Sequence, residues 1–221
     1  MEKISKKFYL ISSKNLLFAP YLKPFIPTYH LWMQDPDTLF LTGSEPLSLE
    51  EELTNQKSWL TDPKKYTFII CEKKSEEPLN LKSFEILNCE SFSSKIDWKS
   101  IIKPIGDVNL FFHEYIEENE CEIDIMIGDK EARGNGYSKD GVIIMMEFGF
   151  SFYKKTRFIA KIKSENQVSR KLFEKLGYEF KREVKAFDEV VYEFDCEEKK
   201  KSPKEFFELN YEIQETIIEE I

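Results

Sequence analysis

Histidine is scarce in this chain: among 221 residues only His30 and His113 carry an imidazole. The cysteines are few as well, and Cys71, Cys89, Cys121 and Cys196 are irregularly spaced with no C-x-x-C pair. Zinc is held by clustered thiolates and imidazoles, so this inventory argues against a metal centre, and no metal ligand is assigned. Scattered, unpaired cysteines fit a reducing compartment with free thiols. Long hydrophobic runs are missing. The longest, Val142 to Tyr153, is broken by Glu147 and falls short of the ~20 residues that cross a bilayer. Met1-Glu2-Lys3-Ile4-Ser5-Lys6-Lys7 leads into only four apolar residues, Phe8 to Ile11, too few for the apolar part of a secretory signal. The expected setting is therefore cytoplasmic, with the nucleus left open, and no membrane partner is expected. Positive charge is in deficit, with 32 Lys and Arg against 41 Asp and Glu and a net charge of -9. That argues against nucleic acid or an anionic membrane as a general partner, while leaving room for a local basic patch. No internal repeat is found, and nothing in the chain indicates an oligomeric state.

Apolar residues make up 41% of the chain, including 19 Phe and 10 Tyr, enough to fill a core. Leu16-Leu17-Phe18 reads as a short strand closed by Pro20, and Tyr29 to Met33 as a helix that stops before Pro36. Asp35 to Leu47 reads as a loop. Ser48-Leu49-Glu50-Glu51 fits a capping box that opens a helix to about Leu60. Thr67 to Cys71 is a buried-strand candidate. Residues 73–104 read as an insertion, rich in Ser, Lys, Glu and Asn. Ile105 to Phe112 is a strand, Glu114 to Glu120 an acidic turn, and Glu122 to Ile127 a strictly alternating strand. A glycine-bearing loop, Gly128 to Gly136, precedes an apolar helix from Ser138 to Tyr153. A strand from Arg157 to Ile162 follows, and then a helix from Glu165 to Leu176 with Val168, Leu172 and Leu176 on one stripe and Gly177 at its stop. Tyr178 to Val184 and Phe187 to Phe194 pair as a closing hairpin. The strand-helix-strand unit predicts a right-handed crossover and one parallel strand pair in a mixed sheet. Residues 1–197 are assigned to one α/β domain. Residues 198–221 are assigned to an acidic helical tail with a Ser202–Glu205 capping box and the stripe Phe206, Leu209, Ile213 and Ile217.

Gly134-x-Gly136 follows a strand and opens a helix. Two glycines admit close backbone approach, and a helix N-terminus favours an anion. The pattern is not a dinucleotide fingerprint, because Lys139 stands where the third glycine belongs, and no Gly-Lys-Ser/Thr follows to make a P-loop. A plain tight turn and a pyrophosphate cradle of another kind remain. Glu122, Asp124 and Met126 share one strand face. Two carboxylates there are costly unless they border a cleft, although a half-solvated strand accommodates them too.

The loop Arg133-Gly134-Asn135-Gly136-Tyr137 resembles the Arg/Gln-x-x-Gly-x-Gly/Ala signature of GNAT acetyltransferases. Thirty-two residues on, Asn166-x-x-Ser169-x-x-x-Phe173-x-x-Leu176-Gly177-Tyr178 resembles the helix after that family's fifth strand. Tyr29-His30-x-Trp32-Met33, Leu41-Thr42-x-Ser44-Glu45-Pro46-Leu47, Gln56-x-x-Trp59, Gly106 to Phe111 and Glu122 to Ile127 are similar to the N-acetyltransferase 9-like subfamily. The resemblance covers roughly Leu16 to Phe194 and implies a GNAT fold, a mixed, mostly antiparallel sheet flanked by helices. It implies acetyl-CoA as cosubstrate and an amine as acceptor, expected to be a protein or peptide N-terminus or a lysine.

On the same resemblance, Arg133, Gly134, Asn135, Gly136, Tyr137, Ser138 and Lys139 hold the pyrophosphate. Asn166 and Ser169 reach the pantetheine arm, and backbone N–H groups near Met126 and Ile127 meet the thioester oxygen. Ser44 and Glu45 lie on the acceptor side; from their shared strand face, Glu122 and Asp124 are the expected catalytic carboxylates, with Glu122 taking the amine proton directly or through water. Two positions depart from the pattern. Glu131 stands where Gln or Arg is usual, and Phe173 where many members have a Tyr that protonates the leaving thiolate. The second departure keeps open a relative that binds acyl-CoA, or acts as a scaffold, with little turnover.

Overall fold

The computed structural model describes residues 8–75, 98–208 and 211–216. Among these, nine strands form one sheet in the order β7-β8-β6-β5-β4-β3-β2-β1-β9. The strands are β1 (Phe8–Ser12), β2 (Leu16–Pro20), β3 (Lys65–Lys73), β4 (Ile102–Phe111), β5 (Glu120–Ile127), β6 (Arg157–Lys163), β7 (Glu179–Val184), β8 (Glu189–Asp195) and β9 (Glu212–Thr216). Neighbours run antiparallel except β5 and β6, the one parallel pair among them. The helices are α1 (Ile26–Trp32), α2 (Pro36–Thr42), α3 (Leu49–Thr61), α4 (Tyr137–Tyr153), α5 (Gln167–Lys175), α6 (Cys196–Lys199) and α7 (Pro203–Phe207). The mixed α/β architecture, the crossover from β5 through α4 to β6 and the β7–β8 hairpin are those expected. The proposed insertion lies largely outside the described residues. Its edges belong to strands, since β3 runs to Lys73 and β4 starts at Ile102.

Strand alternation splits the apolar residues between two cores. Phe18, Phe68, Ile70, Val108, Leu110 and Ile123 face α4, whose Val142, Met145, Met146 and Phe148 are buried against them. Leu17, Ala19, Ile69 and Cys71 face the other way and are covered by Tyr21, Phe25, Tyr29 and Leu60. Helix α3 starts at the expected capping box, with Ser48 Oγ accepting from Glu51 N–H and the Glu51 carboxylate returning to Ser48 N–H at 2.8 Å. It docks through polar groups. The Tyr21 hydroxyl donates to Glu52 (2.9 Å), and Gln56 Nε2 donates to the Tyr21 carbonyl (2.6 Å).

Three expectations are corrected. Asp35 to Leu47 is not all loop, because Pro36–Thr42 is helical. Asp35 caps it by accepting from Thr38 N–H, Pro36 stands in the first turn, and Gly43 stops it at φ 64°. Val168 does not belong to the buried stripe of α5: it is 83% exposed, and Phe173 and Leu176 are the buried residues. The tail is not one helix. The Ser202–Glu205 capping box forms, but α7 ends at Phe207. Glu212–Thr216 then becomes β9, which pairs with β1 from Phe8↔Thr216 to Ser12↔Glu212. A strand edge with open hydrogen-bonding groups outcompetes a short isolated helix. Leu209 and Ile217 of the expected stripe lie outside the described residues.

Candidate active site

Strands β5 and β6 part company. They pair only through Glu120↔Arg157, Cys121↔Phe158 and Glu122↔Ile159. That end is clamped by Arg157, which donates to Glu120 (2.6 Å) and to Asp195 (3.0 Å). From Ile123 onward no strand among the described residues pairs along the β6 side of β5, so the two diverge into a cleft. β5 is also irregular at its far end. Its ladder with β4 runs from Phe111↔Glu122 to Gly106↔Ile127, yet Asp129 N–H bonds the Ile105 carbonyl (3.0 Å), one residue out of that register. A bulge of this kind turns backbone groups out of a ladder. Met126 and Ile127 are the last two ladder residues before that irregularity, half-buried and buried respectively.

The glycine loop lies at the open end of the cleft. Gly134 and Gly136 have φ of 83° and 85°, a region that favours glycine, and a Cβ on either would meet no atom within 4 Å. Gly136 is the N-cap of the 17-residue α4, and no side chain caps that helix. Uncapped first-turn N–H groups beside an open, side-chain-free surface suit a pyrophosphate. Ser138 is half-buried and Lys139 exposed in the first turn. The other loop side chains bond back to the protein, although Arg133 and Asn135 are exposed. Arg133 Nε donates to the Ile127 carbonyl (2.9 Å) and its Nη2 to Thr38 Oγ1 (3.4 Å). Asn135 Nδ2 reaches back to the Ala132 carbonyl (3.3 Å), and the Tyr137 hydroxyl bonds Glu72. Arg133 thus ties β5 and α2 to the loop. Glu131 is exposed and faces Lys103 at 3.4 Å. Asn166 caps α5, its Oδ1 accepting from Ser169 N–H (3.1 Å), while its Nδ2 has no partner among the described residues.

The carboxylates share the α1–α3 face of the sheet. Glu122 is held by Lys161 (2.5 Å) and by His113 Nε2 (3.1 Å), whose ring stacks between Phe111 and Tyr115. Asp124 is different. Its side chain is open to solvent, yet it sits deep within the body of the protein, the combination expected of a residue on a cleft floor. Removal from bulk water raises its proton affinity, the Glu122 charge adds to that, and Lys65 and Asn109 offset part of it. Behind it Asp107 is buried. Desolvation, with the repulsion of Asp124, pushes its carboxyl up to about 7. The candidate acceptor side lies across the cleft. A Cβ on Gly43 would stand 3.1 Å from Lys163 Cε, and Lys163 Nζ bonds the Phe187 carbonyl (2.8 Å) and Glu189 (3.3 Å). Ser44, half-buried, accepts from Thr42 Oγ1 (3.0 Å), and Glu45 is exposed next to it. The end of α2 and the β7–β8 turn therefore meet at Lys163.

A model of the acetyltransferase (GNAT) domain matches residues 16–179. The chain belongs to the GNAT acetyltransferase family. An N-acetyltransferase 9-like protein of Nematostella vectensis is 35% identical to this N-acetyltransferase over 212 residues, 96% of this chain and 98% of the relative. The Homo sapiens alpha/beta-tubulin-N-acetyltransferase 9 is 32% identical over 183 residues, 82% of this chain and 81% of that one. Among solved structures, spermidine N-acetyltransferase from Vibrio cholerae in complex with CoA and spermine shares the fold, with a TM-score of 0.61. Its identity is 15%, with 82% of this chain and 94% of that one covered.

Sequence reasoning did not single out Asp107, Asn109 or Lys161 as site residues of this acetyltransferase. The signal was present for the first two: Asp107, Asn109 and Phe111 alternate with Val108 and Leu110. Only the β4–β5 register sets Asn109 opposite Asp124 and Phe111 opposite Glu122.

Proposed function

We propose that this enzyme transfers acetyl from acetyl-CoA to the α-amine of a protein N-terminus, with Asp124 accepting the amine proton. The observation that carries the reading is Asp124 itself, a carboxylate of raised proton affinity at the point where β5 and β6 separate. A general base works best when its affinity for the proton approaches the working pH. Glu122 is the weaker candidate for that step. With Lys161 and His113 on its carboxylate, it serves as fixed negative charge that favours a cationic acceptor.

Acetyl-CoA supplies the activated acetyl group. The residues suited to hold it are the backbone of Gly134 to Lys139 for the pyrophosphate and the free amide of Asn166, with Ser169 beside it. The backbone of Met126 and Ile127 is suited to donate to the acetyl oxygen. Fixed donors of this kind typically contribute ~3–4 kcal/mol to an acyl-transfer barrier. An α-amine loses its proton at ~7.7–8.0 and a lysine at ~10.4, so one carboxylate serves the first far better at neutral pH. The names of the human and fly relatives support a protein acceptor, with tubulin the first to try.

The test offers acetyl-CoA with three acceptors: peptides carrying tubulin N-termini, the same peptides blocked at the α-amine but bearing a lysine, and spermidine. Mass spectrometry should show acetylation of the free α-amine. Asp124→Asn should lower kcat by about 10²–10⁴-fold with acetyl-CoA affinity unchanged. Acetylation confined to lysine or spermidine, or full activity of the variant, would overturn the reading.

A further inference from the structure

Asn109 stands at the centre of a polar chain that runs from the buried Asp107 and Thr67 to the solvent-facing Asp124. Its amide nitrogen carries two hydrogens and makes two bonds of 2.7 Å, one to Asp107 Oδ2 and one to Asp124 Oδ1. Its carbonyl accepts from Thr67 Oγ1 (2.5 Å). The amide can point only this way, because the reverse would set its oxygen against two carboxylates. Three adjacent strands supply the parts, through Thr67↔Asn109 and Asn109↔Asp124.

Folding alone does not call for such a chain. Asp107 is 2% exposed and Asn109 4%, and the residue opposite Asp107 on β3 is Ile69. Buried polar clusters of this kind are often replaced by apolar residues at no loss of stability. Asp124 Oδ1 is engaged by Asn109, whereas Oδ2 has no hydrogen-bond partner among the described residues.

We infer that Asn109 is a positioning residue for Asp124, itself anchored by the buried Asp107: its amide fixes the Asp124 carboxylate with Oδ2 presented to the cleft. The inference rests on the reading of Asp124 as the base. The repulsion between the two carboxylates falls on the buried Asp107, which holds its proton below about 7 while Asp124 carries the charge. Other titratable groups face the pair from every side: Lys65 on β3, Tyr29 on α1, Tyr21 and Glu52 beneath them, and Glu122 with its partners His113 and Lys161. None of these changes in the variants below.

The test compares wild type, Asp107→Asn and Asn109→Leu, both of nearly conserved volume. Two readouts are taken: kcat and KM against pH with a free-α-amine peptide, and the titration of the Asp124 carboxyl carbon by NMR, assigned through Asp124→Asn. The two substitutions should act differently on Asp124. Asp107→Asn replaces a carboxyl that is protonated below about 7 with a neutral amide whose oxygen still accepts from Asn109, so the Asp124 midpoint and the acid limb of kcat/KM should stay close to wild type. Asn109→Leu removes a donor that favours the charged form, so the midpoint should rise, and kcat should fall with KM retained. The amine's own titration is common to all three proteins and cancels. An Asp124 midpoint unmoved in Asn109→Leu would overturn the inference, whether or not any peptide is acetylated. A wild type with no transfer but a shifted midpoint in that variant would instead overturn the proposed reaction and leave the coupling standing.

Discussion

Asp107 carries a consequence for stability as well as for chemistry. Burial lifts its carboxyl from 3.8 to about 7, so between those values the folded chain keeps a proton that the unfolded chain has released. Stability from this group is therefore fully present below about pH 4 and declines as pH rises toward 7. Asp107→Asn keeps the shape and removes the charge. Its melting temperature should match wild type near pH 4 and exceed it at pH 8 by at least about 2–4 °C, the effect of ~1 kcal/mol in a chain of this size. Equal melting at both values would mean that the charge is buried without penalty. Phe173 is a second case. It is 2% exposed and sets its ring edge-on to Tyr178, whose own hydroxyl has no partner among the described residues. Phe173→Tyr adds another hydroxyl there, at a cost of ~1–3 kcal/mol. Melting should drop by several degrees with kcat unchanged. A faster enzyme would show that the hydroxyl reaches the cleft and restores the acid that many family members have.

At the scale of elements, the tail acts as a strap. α7 packs Phe206 and Phe207 against Phe194 of β8, and the Lys204 N–H bonds the Glu147 carboxylate of α4 at 2.7 Å. β9 then completes the opposite edge of the sheet at β1. Deleting residues 202–221 should lower the melting temperature by roughly 4–12 °C, from ~2–3 kcal/mol of aromatic burial at ~2–4 °C per kcal/mol. It should also expose the β1 edge to self-association, which light scattering reads. β9 lies five strand spacings from β5, about 24 Å, so acetyl-CoA affinity should not change. Lost affinity in a folded deletion protein would place the tail in the site. These elements also mark the reach of sequence reading. The capping box of α3, the alternation of β5 and the glycine stop of α5 are local patterns and were legible. Helix α2 carried start and stop signals in Asp35, Pro36 and Gly43 but buries only Thr38, so no apolar stripe announced it. The spacing of Phe206, Leu209 and Ile213 satisfied a helix, while strand formation depended on the unread partner β1, more than 190 residues away along the chain.

At the scale of the molecule, one parting of strands organises the site. Arg157 clamps the closed end, α4 begins at the open end, and the polar face of β4 and β5 lines the floor. The loop and the Asn166 helix could be recognised as motifs, because each is contiguous in sequence. The Asp107–Asn109–Asp124 chain could not, because it exists only once β3, β4 and β5 are in register. The most direct measurement of the whole account is an amide NMR spectrum titrated with acetyl-CoA. The largest shifts should fall on Gly134 to Lys139, on Met126 and Ile127, and on Asn166 and Ser169, with β1 and β9 unmoved. Binding without shifts at Gly134, Gly136 and Met126, or shifts concentrated elsewhere, would contradict the assignment of this cleft as the active site.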